Sequence, residues 1–283
     1  YRSPCPSTMI AVSPVNHGGR RWPLNCGNED RCRSGTATTF LGGKGNFIAD
    51  RDLAEEIIAV YPNIVFSVRA NRAFLARTVR FLVSECGIRQ FLDIGTGIPT
   101  GGNTHEVAQE IAPESRIVYV DNDPMVLSHA RALLTSASAG KTAYLDADLR
   151  DTGQVLHEAS ATIDFSQPVA VMLIAILHFV PDEEAFAAVS TLMRTAAPGS
   201  FLAIAHFARD IEAESVDNAV AGASEVRGSG GVMPRSKDEV ARFFEGLDLV
   251  DPGIVPFQDW RPGGEARTAS AVPGWAGVAR KPG

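Results

Sequence analysis

The sequence has few cysteines, no excess of positive charge and no long apolar segment, and each shortage excludes a class of protein. Only 4 of the 283 residues are cysteine, and Cys5, Cys26 and Cys32 lack the spacing of a zinc site. We therefore expect neither a disulfide framework nor a bound metal. The longest apolar run extends from Val169 to Leu177, about half of what a bilayer span requires, so we expect no membrane segment.

Charge and composition narrow the class further. The chain carries 26 Lys and Arg against 33 Asp and Glu, which gives a net charge of -7 and no electrostatic reason to expect a nucleic-acid partner. With 45% hydrophobic and 21% charged residues, it has the composition of a globular protein. No positively charged and then apolar leader opens the sequence, which predicts a cytoplasmic location.

The chain divides into three predicted regions. Residues 1–36 are rich in Pro, Gly, Ser and Arg and predict an irregular arm. Residues 37–87 predict a helical cap, with one helix that starts near Asp50 and is stopped by Pro62 and another from about Val65 to Cys86. The main domain is predicted to occupy residues 88–283.

Short apolar runs alternate with helical patterns throughout the main domain. This alternation is typical of an α/β fold in which helices cover both faces of a parallel sheet. Ser236 and Glu239 form a capping-box pattern that predicts a further helix near 236–246, and two late apolar stretches could close the sheet. The predicted strands are near 90–94, 116–120, 142–145, 169–177, 201–205, 247–250 and 275–279, and the other helices near 104–112, 124–136, 151–159 and 182–196.

The segment from Phe91 to Pro124 contains the main chemical motif. A predicted strand ends at Asp93, and Gly95 and Gly97 then allow a ligand to approach the backbone closely. The next strand ends at Asp121, whose carboxylate could accept hydrogen bonds from two ribose hydroxyls. This pattern predicts a nucleoside-binding site at the carboxyl edge of an open sheet.

Two cofactor classes fit a glycine loop at this position. A dinucleotide-binding loop would have a third glycine where Thr100 stands, and the acidic Asp93 would be unfavourable beside a pyrophosphate. A carboxylate there suits a cofactor that carries an ammonium and a sulfonium group. The D-x-G-x-G form therefore favours S-adenosyl-L-methionine, which leaves S-adenosyl-L-homocysteine as the product, and a nicotinamide-dependent oxidoreductase is the alternative.

The ends of the next two strands supply further candidates. Asp148 could accept the adenine amino group while the Leu149 amide faces the ring, although Asp148 or Asp151 could instead only cap the following helix. Ala175 and His178 lie where the methionyl part of the cofactor and the methyl acceptor should meet. His178 could equally be a histidine in the site wall that moves no proton, and Asp182 is a candidate N-cap.

The expected reaction is O- or N-methylation of a small molecule. A hydroxyl or protonated amine acceptor needs a base, for which His178 is the first candidate and His206, at the end of the fifth strand, the second. Arg72 on the second cap helix could meet the methionine carboxylate, or Arg69 and Arg72 could be solvated helix charges. A nucleoside-binding regulator without turnover is the alternative outside enzymes.

Several strings taken together resemble a known family. FLGGKGNF, RANRAFL, FLDIGTGIPTGGNTHEVA, VYVDNDP, DADLRD, LHFVPD, APGS and ARFFEGLDLV are similar to strings in actinobacterial S-adenosylmethionine-dependent methyltransferases once catalogued as a domain of unknown function. The resemblance covers about 40–262, with Gly45 standing where that family is expected to have Asp. It implies a class I methyltransferase (Rossmann-like) three-layer sandwich, with a seven-stranded mostly parallel sheet and an N-terminal helical cap. It supplies no methyl acceptor.

The resemblance also implies a set of cofactor contacts. They lie in the loops that follow the first three strands of the main domain, where Thr96 and Asn122 accompany the acidic and glycine residues. The cofactor-binding residues expected from the motifs and the resemblance together are Asp93, Gly95, Thr96, Gly97, Asp121, Asn122, Asp148, Leu149, Ala175 and Arg72.

Overall fold

The computed structural model describes residues 38–43, 48–98, 101–124, 126, 139–213, 216, 231–263 and 272–283. The predicted arm, and most of the helix predicted near 124–136, lie outside these ranges. The helices in the described ranges are α1 (Ile48–Val60), α2 (Ile64–Ser84), α3 (Thr104–Ile111), α4 (Thr152–Ala159), α5 (Asp182–Thr195) and α6 (Lys237–Ala241). The strands there are β1 (Gln90–Ile94), β2 (Arg116–Asp121), β3 (Lys141–Asp146), β4 (Ala170–Ile174), β5 (Phe201–Phe207), β6 (Asp248–Leu249), β7 (Val255–Pro256) and β8 (Gly274–Arg280).

One mixed sheet organises the described part of the chain. Its strand order is β3-β2-β1-β4-β5-β8-β6, and the short β7 pairs with β8 beside this path. The first five strands in that order are parallel to one another, whereas β8 runs antiparallel to β5, β6 and β7. The seven strands on the path confirm the predicted mostly parallel sheet. The carboxyl ends of β1 to β5 meet at one edge, where ligands bind in open α/β sheets.

Helices cover both faces of the sheet. All five residues of β1 and of β4 are buried, as expected for strands with a helix layer on each side. Phe91 belongs to the apolar core shared with α2 and α3, and its neighbour Leu92 belongs to the opposite core shared with α4 and α5. Successive strand residues point to opposite faces, and the result is the predicted three-layer sandwich.

Local signals explain where several helices begin. Asn103 and Glu106 form a reciprocal capping box at α3, and Ser236 and Glu239 form the predicted one at α6. Each box satisfies backbone N–H groups that have no partner inside the first turn. The helix predicted near 236–246 is divided into α6 and a 3-10 turn over Arg242–Phe244. Helices α1 and α2 fall within the predicted cap.

Two local predictions are wrong. The fourth strand was expected over 169–177, but β4 ends at Ile174, and a 3-10 turn over Leu177–Phe179 follows. An apolar run does not distinguish a buried strand from a buried turn. Asp182 is not the N-cap of α5, because Pro181 occupies that position and Asp182 is the first helical residue.

None of the helices within the described residues is long and apolar enough to cross a membrane.

Candidate active site

The predicted acidic residues lie at the carboxyl ends of three neighbouring strands. Asp93 is the fourth residue of β1, and Asp121 ends β2. Asp121 is in register with Asp146, the last residue of β3, so Asp148 follows two residues beyond that strand. Because the three strands are parallel and adjacent, they bring these side chains to one edge of the sheet, as the sequence predicts.

The loop between β1 and α3 is attached to the end of β2. Gly95 and Gly97 both have positive φ angles, 77° and 64°, a conformation that glycine adopts without steric cost. The Gly95 N–H donates to the Val120 carbonyl at 2.8 Å, and the Gly97 N–H donates to Asp121 Oδ2 at 2.9 Å. Thr96 lies between the two glycines, partly exposed. Asp121 therefore shapes the glycine loop directly.

Gly95 also allows a close approach to the loop that follows β4. A Cβ atom built on it would lie 2.6 Å from Cγ1 of Ile176, well inside van der Waals contact. The loops after β1 and β4 therefore pack against each other at the centre of the strand edge.

Burial raises the pKa of two of the carboxyl groups. Asp93 is 4% exposed, and burial raises its pKa to about 6, although the hydrogen bond from Thr104 Oγ1 at 2.6 Å and the charge of Arg72 act in the opposite direction. Burial also raises the pKa of Asp121 to about 6. The hydrogen bonds that Asp121 accepts from the backbone N–H groups of Gly97 and Asp123 lower this pKa but do not offset the effect of burial. Negative charge on Asp93 and Asp121 is therefore costly for the protein alone.

Asp148 has a different environment. It accepts hydrogen bonds from Asn122 Nδ2 at 3.1 Å and from the backbone and side chain of Arg150. Burial raises the pKa of Asp148, but these hydrogen bonds and the Arg150 charge outweigh it and bring the pKa below its ordinary value. Asp151 caps α4 by accepting a hydrogen bond from the Gln154 N–H at 3.0 Å. Of the two aspartates considered as caps for this helix, the N-cap is therefore Asp151 and not Asp148. The side chain of Leu149 is buried in the core.

Arg72 connects the second helix of the cap to the start of α3. Its guanidinium donates to Asn103 Oδ1 at 2.6 Å and to the Gly101 carbonyl at 3.3 Å. Burial lowers the pKa of Arg72, whereas the nearby Asp93 charge raises it. Arg72 is therefore not a solvent-exposed charge on the helix surface, whereas Arg69 is exposed.

The chain turns sharply after β4 and brings His178 to the same edge. Ala175 has a φ angle of 61°, a left-handed conformation that is strained for a residue with a Cβ atom, and its N–H donates to the Ala205 carbonyl at 2.9 Å. His178 then lies in the 3-10 turn with 8% exposure. Its ring centroid is 4.3 Å from that of Phe179 and 6.3 Å from that of Phe207.

His206 is fully buried, and both of its ring nitrogens are engaged. Nδ1 lies 2.8 Å from the Phe207 carbonyl, which can only accept, and Nε2 lies 2.7 Å from Nη1 of Arg235, which can only donate. Burial lowers the pKa of His206 to about 3. This geometry leaves the ring no lone pair with which to take a proton from a substrate, and His206 therefore fits a structural role.

Sequence reasoning missed three residues that organise the site. Thr104 donates to Asp93, and Tyr119 Oη accepts from the His105 N–H at 2.9 Å, which ties the start of α3 to β2. Arg235, just before α6, donates to the Leu177 and Val180 carbonyls in the turn that follows β4. The sequence has no local signal for these contacts, because the partners of Tyr119 and Arg235 are distant along the chain. Among the described residues, no group of His, Cys, Asp and Glu is arranged to hold a metal ion.

Comparisons with known proteins identify relatives of the whole fold. A family model described as S-adenosyl methyltransferase matches residues 35–282. A crystal structure of a DUF574 family protein from Streptomyces avermitilis is 39% identical, with a TM-score of 0.85 over 90% of this chain and 98% of that one. A protein from Thermobifida fusca, provisionally described as a methyltransferase, is 38% identical, with a TM-score of 0.84 over 93% and 99% of the two chains. No curated protein matches significantly.

Proposed function

Because the chain belongs to the S-adenosyl methyltransferase family, we propose that it methylates an oxygen or nitrogen atom of a small molecule. The observation that carries this proposal is the pair of buried carboxyl groups, Asp93 and Asp121, beside a glycine loop. S-adenosylmethionine carries an ammonium and a sulfonium group, and nearby positive charge lowers the cost of keeping buried carboxylates ionised. The residues present therefore suit this cofactor, and Asp93 would be poorly placed beside the pyrophosphate of a nicotinamide cofactor.

The proposed contacts follow from the remaining hydrogen-bonding capacity of each group. Oδ2 of Asp121 accepts the Gly97 N–H and Oδ1 accepts the Asp123 N–H, and a carboxylate has about four acceptor positions, so ribose hydroxyls can use the remaining capacity. Asn122, Asp148 and Leu149 would contact the adenine. The backbone of Gly95, Thr96 and Gly97 would face the methionyl part, where Arg72 would meet the methionine carboxylate and Ala175 would flank the methyl group.

The chemistry of the protein is mainly alignment. When bound, S-adenosylmethionine supplies a methyl group activated by the positive charge on sulfur. The protein holds the acceptor in line with that group and excludes water, and such positioning can contribute up to about 7–11 kcal/mol. His178 is the proposed base for a hydroxyl or ammonium acceptor. Phe179 and Phe207 beside its ring suit an acceptor with an apolar part.

Binding and turnover are tested separately. Calorimetry should show that S-adenosylmethionine binds the protein and that Asp121→Ala weakens binding at least tenfold. A panel of hydroxyl and amine compounds is then assayed for S-adenosylhomocysteine release. His178→Gln should lower turnover by about 10²–10⁴-fold with cofactor affinity within about twofold, whereas His157→Gln, on the exposed surface of α4, should change neither.

Four results would contradict parts of the proposal. Failure to bind S-adenosylmethionine, or unchanged binding by Asp121→Ala, would contradict the assigned cofactor site. Tight binding without turnover across the whole panel would favour the non-catalytic regulator. Full activity of His178→Gln would remove the histidine from the mechanism while leaving methyl transfer intact.

A further inference from the structure

Arg235 is a buried arginine whose hydrogen-bond donors all have acceptors. It is 3% exposed and lies just before α6. Nε and Nη2 donate to Oδ1 of Asp182 at 3.0 and 2.7 Å, and Nη2 also donates to the Val180 carbonyl at 2.9 Å. Nη1 donates to the Leu177 carbonyl at 2.8 Å and to Nε2 of His206 at 2.7 Å. An arginine has five N–H groups, and these five bonds use all of them.

The backbone around Arg235 reinforces these contacts. The Arg235 N–H donates to the Phe207 carbonyl at 3.1 Å, and the Arg235 carbonyl accepts from the Arg209 N–H at 3.0 Å. Two residues earlier, the Met233 N–H donates to the His178 carbonyl at 2.8 Å. Residues 233–235 therefore join the end of β5 to the turn that carries His178.

The same contacts determine the protonation of His206. The Phe207 carbonyl requires a hydrogen on Nδ1, so Nε2 keeps its lone pair and accepts from Arg235. Burial is the main reason that the pKa of His206 falls to about 3, and the Arg235 charge adds to it. The Phe207 hydrogen bond and the charges of Asp182 and Glu239 act in the opposite direction without reversing the shift. His206 is therefore an uncharged ring in a single tautomer.

We propose that Arg235 is a positioning residue for the acceptor side of the site. It fixes the turn that carries His178, and it holds His206 as an uncharged neighbour, with the two rings 5.5 Å apart and nearly perpendicular. A positive charge on His206 would oppose the arrival of a proton on His178. The inference rests on the proposed function only in taking His178 as the group beside the acceptor.

Histidine side-chain NMR tests this role without an acceptor. In the ligand-free protein, long-range ¹H–¹⁵N spectra should show His206, assigned by its loss in His206→Asn, as the Nδ1–H tautomer throughout pH 5–8. In Arg235→Met, the His206 signals should move or begin to titrate, and the His178 signals should shift. Arg242→Met is the matched control, because Arg242 is exposed and lies over the ring of Phe186, and it should leave both histidine spectra unchanged.

Measurements of cofactor affinity and of the variant Arg235→Lys distinguish a positioning role of Arg235 from a general loss of structure. S-adenosylmethionine affinity should stay within about twofold in Arg235→Met, because the proposed cofactor carboxylates lie on β1 and β2. Arg235→Lys places three donors on a single atom, so it should recover only part of the wild-type histidine spectrum. Once an acceptor is known, kcat should fall at least tenfold in Arg235→Met while the KM for the cofactor stays within twofold.

The outcomes distinguish this inference from the proposed function. Titration of wild-type His206 between pH 5 and 8, or unchanged His178 signals in Arg235→Met, would overturn it. If Arg235→Met does not fold, Arg235→Lys provides the comparison, and a wild-type histidine spectrum in that variant would overturn it as well. Failure of the wild-type protein to bind S-adenosylmethionine would contradict the proposed function and leave the histidine result standing.

Discussion

The binding of S-adenosylmethionine should weaken as the pH falls from 7 to 5. Burial raises the pKa values of Asp93 and Asp121 to about 6, so both carboxyl groups are mostly ionised at pH 7 and mostly protonated at pH 5. The positive charge of the cofactor is attracted most strongly to an ionised carboxylate, and a ribose hydroxyl forms its strongest hydrogen bond with an ionised carboxylate. The two groups influence each other, because the Asp121 charge raises the pKa of Asp93, and they titrate as a pair.

The size of the effect follows from the ionised fractions. A carboxyl group with a pKa of about 6 is ionised to roughly nine-tenths at pH 7 and one-tenth at pH 5. If the cofactor binds only when one of the two groups is ionised, its apparent Kd rises about tenfold between pH 7 and pH 5. If binding needs both groups ionised, the apparent Kd rises about 100-fold, which is close to 3 kcal/mol of binding free energy. We therefore expect a change between about tenfold and 100-fold across these two pH units.

The same groups affect the stability of the ligand-free protein in a definite direction. The pKa of Asp93 is raised from 3.8 to about 6, so between these values the folded state binds more protons than the unfolded state. Stability therefore falls as the pH rises through this window, by up to about 3 kcal/mol for Asp93. Asp121 acts in the same direction, because burial raises its pKa to about 6 as well. The cofactor should consequently raise the melting temperature more at pH 7 than at pH 5.

Calorimetric titrations at pH 5, 6 and 7, at one ionic strength, measure the effect. Asp93→Asn keeps an acceptor for the Thr104 hydroxyl but has no charge to lose, so it should bind more weakly at pH 7 and show about tenfold less pH dependence. Asp146→Asn is the control, because Asp146 is exposed at the end of β3, and it should show the wild-type dependence. A wild-type Kd that is constant within twofold between pH 5 and 7 would refute this reasoning.

Three further substitutions test the geometry of the strand edge, each by urea unfolding. At pH 5, where the carboxyl group is mostly protonated and its charge costs little, Asp121→Ala leaves the Gly97 and Asp123 N–H groups without their acceptor and should destabilise the protein by about 1–3 kcal/mol, and an unchanged midpoint would contradict the role of Asp121 in shaping the loop. Gly95→Ala places a Cβ 2.6 Å from Ile176 in a backbone with positive φ, so it should cost at least about 1 kcal/mol and weaken cofactor binding. Ala175→Gly relieves a positive φ of 61° and should stabilise the protein by about 0.5–1 kcal/mol, whereas a loss would show that the methyl side chain is needed there.

The fold was largely predictable because its signals are local and repeated. Strands β1, β2 and β5 begin and end within two residues of their predictions, since each is a short apolar run bounded by turn or polar residues. The fourth strand was predicted too long because Ala175 is an apolar residue whose positive φ depends on its tertiary surroundings. The alternation of predicted strands and helices predicts a parallel sheet, but the position of β8 between β5 and β6 depends on pairing between strands that are distant along the chain.

The acidic part of the site was predictable for a related reason. Asp93 and Asp121 lie at the carboxyl ends of apolar strands within one motif, and parallel neighbours must bring those ends together. The support around them was not predictable, since Thr104 reaches Asp93 only because α3 begins where its capping box places it. Arg72 is similar in this respect, because its contact with Asn103 depends on how the cap packs against the main domain.

His178 and His206 show why residue type and strand position do not by themselves assign a base. Both histidines follow or end neighbouring parallel strands, so the sequence offers both as candidates, His178 first and His206 second, and the structure places their rings 5.5 Å apart. They differ in their neighbours: an imidazole can take a proton only through an available lone pair, and the lone pair of His206 accepts from Arg235, which lies 29 residues away in sequence. That contact forms only after β4, β5 and the residues before α6 have come together. The choice between the two histidines therefore belongs to the tertiary hydrogen-bond network, and a substitution at Arg235 is the direct way to change it.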